Sequence, residues 1–165
     1  MGELLPLLIQ GAWVTLQVTF FGSILAIVAA ILAALGRMSP WRPLRWFSIA
    51  YIEVFRGTSL LVQLFWLFFV LPLPPFNLEL SPYAVAIVGL GLHIGAYGAE
   101  VMRGAISSVA KGQYEASTAL NFSGYKRFKR IILPQALLAA IPPGTNLLIE
   151  LLKNTSLVSL ITLSD

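Results

Sequence analysis

From Leu4 to Gly36 the chain carries no charged side chain. A charge at the centre of a bilayer costs about 2.5–3.5 kcal/mol or more, so charge-free runs mark the segments able to cross one. Three more such runs follow, Gly57–Leu78, Leu80–Ala99 and Ile131–Ile149. A helix needs roughly 20 residues to cross ~30 Å of hydrocarbon. The pattern predicts an all-α membrane protein, a transmembrane helix bundle in a single domain over 1–165. Its four spans are expected at about 13–35, 57–72, 82–100 and 134–152, the second stopped by Pro72, Pro74 and Pro75.

Composition agrees. Hydrophobic residues make up 58% of the 165 and charged residues 11%, with a mean hydropathy of +0.83. A water-soluble domain of that make-up would expose far too much apolar surface. The formal charge of +4 does not point to nucleic acid, because the basic residues flank the spans. Arg37, Arg42 and Arg45 sit in the first connection, and six of the eleven lie between Arg103 and Arg130. Basic loops beside spans mark the cytoplasmic side. The N-terminus and the end of the fourth span are then expected outside. Glu3, the lack of a positive n-region and the length of the first apolar run all argue against a cleaved signal peptide. With no cysteine, disulfides, thiolate metal sites and cysteine nucleophiles are excluded.

The loop over 103–133 is the one long polar interruption, and two short helices fit it. Ala116, Ala119 and Leu120 fall at i, i+3 and i+4 and make a small apolar face beside Glu115. Asn121 suits the left-handed conformation that ends a helix. Ser123 is placed to cap the next one. There Tyr125, Phe128 and Ile132 line one face, with Lys126, Lys129 and Arg130 on another, a pattern suited to anionic lipid headgroups. Pro134 stands where the chain is expected to bend into the membrane. A solvated basic loop explains the cations; it does not explain an acid and a small apolar face at the head of a capped helix, which is a docking shape.

Within this segment Glu115-Ala116-Ser117, three residues, Asn121, nine residues and Ile131-Ile132-Leu133-Pro134 occur in order. The pattern resembles the EAA loop of bacterial ABC importer permeases: Glu-Ala-Ala, three residues, Gly, nine residues, Ile-x-Leu-Pro. Ser117 replaces the second alanine and Asn121 the glycine, and both keep the size or backbone freedom the loop needs. Glu53-Val54-Phe55-Arg56-Gly57-Thr58-Ser59-Leu60-Leu61-Val62-Gln63 is similar to the polar-amino-acid branch, with Ser59 where proline is usual. Gly95-Ala96-Tyr97, Glu100, Arg103-Gly104, Lys111-Gly112-Gln113 and Leu152-Lys153-Asn154-Thr155-Ser156-Leu157 read the same way. The resemblance runs from the first span to Ile161. Family members usually have a further span, so it implies a truncated chain ending at Asp165.

The resemblance implies one half of a dimeric pore in the bacterial inner membrane, paired with itself or a sister permease. A cytoplasmic ATPase would receive the first loop helix, about Gly112 to Leu120, with Glu115 meeting a basic group. An extracytoplasmic binding protein would deliver a polar amino acid or a related solute such as ectoine. No G-x-x-x-x-G-K-S/T motif is present, so ATP and magnesium are expected on the partner and no cofactor on this chain.

Intramembrane polar groups are the candidates for the solute pathway. His93, among Gly89, Gly91 and Gly95, either hydrogen-bonds a neighbouring helix in a tight packing face or faces the pore. Glu150 and Lys153 either neutralise each other or, with Asn154, Thr155 and Ser156, supply contacts for a zwitterion. Pro142-Pro143-Gly144 is expected to interrupt the fourth span just before them. Glu53 and Arg56 read as a structural or gate-region pair. The competing classes are an intramembrane enzyme using His93 with a serine or carboxylate, and an inactive fragment or membrane scaffold. No acid/base motif supports the enzyme.

Overall fold

The first charge-free run winds into a single helix. The computed structural model describes residues 2–158; Ile161 and Asp165 lie outside them. Helix α1, Leu4–Arg37, has 34 residues, about 51 Å at the standard rise. It begins well before residue 13. Leu16, Phe20 and Leu32 point outward from it, which costs nothing where the surrounding solvent is as apolar as they are.

Helix α4, Pro82–Ser107, packs along α1. Its start is set by Ser81, whose hydroxyl accepts the Ala84 N–H at 3.2 Å, and by Pro82 in the first turn. Small residues let the two backbones approach. A Cβ on Gly95 would lie 2.8 Å from the Ala29 Cβ and 3.2 Å from the Ala26 carbonyl oxygen. This is the close packing that membrane helices use in place of a hydrophobic driving force.

The second expected span takes a different form. Helix α2, Arg42–Gly57, is followed by α3, Leu60–Phe65, which continues as a π-helical turn over Trp66–Val70. The two parts meet at 109°. Helical structure in the expected 57–72 region therefore covers Leu60–Val70, about 16 Å of rise. The break has a local cause. Thr58 is extended, and the Ser59 hydroxyl accepts the Val62 N–H at 3.2 Å, capping a new helix. Among the described residues three helices are long and apolar enough to cross a membrane, or four if the bent pair counts as one span.

Helices α5, Lys111–Ala119, and α6, Gly124–Arg127, form the polar hairpin. A π-helical turn, Phe128–Ile132, joins α6 to α7, Leu133–Asn154, and a short 3-10 turn, Thr155–Val158, follows. Two expected breaks are absent. The chain is one helical run over Gly124–Val158, so it does not break at Pro134. The Leu133 N–H reaches the Phe128 carbonyl, five residues back, so the hydrogen-bond register shifts just ahead of the proline. Helix α7 also continues through Pro142 and Pro143; proline removes a backbone donor without compelling a break.

The buried core joins α1, α3, α4 and α7. Val18 and Ala26 meet Leu60, Leu64, Val85, Ala86, Leu90, Ile94 and Leu151. A smaller cluster of Ala33, Ile52 and Ala99 holds α2 against α1 and α4.

Candidate functional site

The hairpin is built from short-range signals that the sequence carries. Asn121 ends α5 with a φ of 61°, in the left-handed region. Ser123 caps α6, its hydroxyl accepting the Lys126 N–H at 3.3 Å. Gly112, Glu115, Ala116, Ala119 and Leu120 are all exposed, Leu120 at 71%. Glu115 forms no ion pair among the described residues. Ser117 is the exception, with 0% exposure. It faces Arg127, whose Nε donates to the Ser117 Oγ at 2.6 Å and whose Nη2 donates to the Thr118 Oγ1 at 2.8 Å. A second tie, from the Gln135 Nε2 to the Gln113 Oε1 at 3.2 Å, joins α5 to the start of α7. The ammonium of Lys126 lies over the Phe122 ring and that of Lys129 over the Tyr125 ring, at 5.1 and 5.9 Å.

A charge cluster links α1, α2 and α4. Glu100, whose side chain is 15% exposed, meets Arg37 at 2.6 Å, Arg103 at 2.9 Å and Arg56 at 3.8 Å. Arg56 also pairs with Glu53 at 3.8 Å and stacks over Tyr97. The sequence spacing shows the Glu53–Arg56 and Glu100–Arg103 pairs, each three apart. It does not show that Glu100 draws both arginine pairs into one network, because Arg37 and Arg56 come from other helices.

His93 is 6% exposed, and its Nδ1 lies 2.9 Å from the Gln63 Oε1. The Gln63 amide nitrogen in turn donates to the Phe55 carbonyl at 3.0 Å and to the Thr58 Oγ1 at 2.7 Å. The histidine therefore links α4 to the α2–α3 bend. Its hydrogen-bond partner is an amide, neither a carboxylate nor a serine.

Glu150 and Lys153 are exposed and form no ion pair with each other among the described residues. With Asn146 they fall at i, i+4 and i+7, on one stripe of α7. Asn154 is half-buried. The hydroxyls of Thr155 and Ser156 donate to the Leu152 and Lys153 carbonyls at 2.6 and 2.9 Å. Sequence reasoning missed Arg127, Thr118 and Gln63 as contact residues, since each acts across a turn or a helix boundary that periodicity does not register.

Long apolar helices packed through small residues, with a polar helical hairpin between two of them, define an all-α protein embedded in a membrane. Residues 22–165 match the family described as the binding-protein-dependent transport system inner membrane component, and the chain belongs to that family. It is 51% identical over 160 residues to a probable amino-acid ABC transporter permease protein of Sinorhizobium fredii, covering 94% of this chain and 67% of that one. It is 42% identical over 160 residues to the L-cystine transport system permease protein of Bacillus subtilis, covering 97% and 68%. A solved amino acid ABC transporter, crystallised with histidines, has a chain that superposes with a TM-score of 0.91 at 33% identity, covering 98% of this chain and 75% of that one.

Proposed function

We propose that this permease carries a polar amino acid or a related compatible solute inward, driven by a separate ATPase that docks on α5. The observation that carries the docking reading is the exposed face of Gly112, Glu115, Ala116, Ala119 and Leu120 on a helix held in place by its neighbours. Small side chains admit close approach of another surface. The Glu115 carboxylate has no ion-pair partner among the described residues and suits a basic group. ATP and magnesium would bind on that partner. In this reading the hairpin lies on the cytoplasmic side, as its basic residues favour, and the N-terminus lies outside.

The pore pairs this chain with a second copy or a sister permease, and an extracytoplasmic binding protein supplies the solute. Glu150, Lys153 and Asn154 are the pathway residues, with Thr155 and Ser156 at its end. Neither the carboxylate nor the ammonium is ion-paired among the described residues, which suits them to opposite ends of a zwitterion, and the amino-acid and L-cystine relatives support that class of solute. Copurification from membranes tests the docking reading. The unmodified chain is expected to bring down an ATPase subunit, and Glu115→Lys to lose it. Equal capture by both forms would refute the docking role, and uptake of labelled amino acids identifies the solute.

A further inference from the structure

We infer that Arg127 is a positioning residue that locks α5 in orientation, so that force applied to its exposed face reaches α7. The inference rests on the docking reading above. Helix α5 has nine residues, and isolated helices below about 12–15 residues are marginal in water. Of its side chains only Ser117 is buried. Something other than a packed face must hold the helix still.

The Arg127 guanidinium does so with two donors at fixed spacing, to Ser117 and Thr118. Arginine has no acceptor, so both hydroxyls must accept from it. Their own protons go to the Tyr114 carbonyl oxygen, at 2.7 Å from Ser117 and 2.9 Å from Thr118. The network is therefore consistent in every donor and acceptor. Ser117 and Thr118 are adjacent in sequence and project at different angles around the helix, so two bonds to one planar group resist rotation of α5 as well as separation. Arg127 has no carboxylate partner among the described residues, which leaves its donors to the hydroxyls. It ends α6, from which the helical run continues without interruption into α7. An alanine at 117 would offer no such acceptor.

Hydrogen–deuterium exchange on the assembled complex in lipid nanodiscs tests this, together with solute transported per ATP hydrolysed. In Arg127→Ala the amides of 113–119 are expected to exchange about tenfold faster, the ratio equivalent to roughly 1.4 kcal/mol of lost stabilisation. Solute per ATP is expected to fall with it. Arg127→Lys, with one compact donor group, restores part of both, and Ser117→Ala, which removes one bond of two, gives a smaller change of the same sign. Unchanged exchange in Arg127→Ala overturns the lock. Faster exchange with unchanged solute per ATP leaves a merely structural contact and overturns the positioning role. ATPase capture by the unmodified chain is scored separately, so failure of the docking reading shows there and not in the exchange of α5.

Discussion

Among the described residues, Glu100 is the one on which the greatest number of ion pairs converge. Its carboxylate meets guanidinium groups from α1, α2 and its own helix, so its removal leaves Arg37 and Arg103 without an ion pair among the described residues and Arg56 with Glu53 alone. Arg103 is half exposed and screened, and contributes little. Arg37, closer and better shielded, contributes more. Glu100→Gln keeps the shape and removes the charge; it is expected to destabilise the fold by about 1.5–3 kcal/mol, the range for hydrogen bonds to charged groups. Thermal unfolding of the detergent-solubilised protein reads this as a lowered midpoint, with Arg103→Gln nearer the unmodified value. An unshifted midpoint in Glu100→Gln would show that the cluster does not bind the three helices together.

At the scale of elements, α1, α4 and α7 were legible as charge-free runs, because absence of charge is itself the physical condition for lying in hydrocarbon. The hairpin was legible through Asn121 and Ser123, whose roles are local. Helix α2 was not: it carries Arg42, Arg45, Glu53 and Arg56, and a criterion built on missing charge passes over it. Glu53 and Arg56 pair with each other, and Arg56 also reaches Glu100 on α4, a tertiary fact. The continuity of α7 through Pro142 and Pro143 was equally hidden, since proline marks a lost donor and not the tolerance of its surroundings. The contact between His93 and Gln63 was hidden as well, since Gln63 stands on a neighbouring helix 30 positions away. The α1–α4 seam supports a paired prediction. Gly95→Leu forces a side chain against Ala29 and the Ala26 backbone and is expected to cost about 1–3 kcal/mol or more. Gly104→Ala, on the same helix with open space around it, is expected to stabilise by about 0.5–1 kcal/mol. Equal midpoints for the two variants would contradict the close approach.

For the whole molecule, the decisive asymmetry lies between two kinds of exposed surface. Phe20 on α1 is exposed and apolar, at ease against lipid. The α7 stripe of Asn146, Glu150 and Lys153 is also exposed, but an acidic or basic group costs about 2.5–3.5 kcal/mol at the centre of a lipid-facing helix. Glu150 and Lys153 stand near the end of α7, where the cost is smaller than at the centre but still favours contact with a polar medium. The stripe therefore favours water or a polar partner, consistent with a solute pathway shared with a second permease chain. The 165 residues contain no cysteine, so labelling of each variant is read against the unsubstituted complex. In assembled complexes in native membranes, Asn146→Cys is expected to react with a membrane-impermeant thiol reagent, and Phe20→Cys to remain unlabelled. Addition of the transported solute is expected to slow the first reaction, since the solute would occupy the same path. An inert Asn146→Cys, or equal labelling at both positions, would place the stripe away from the pathway and remove Glu150 and Lys153 from it.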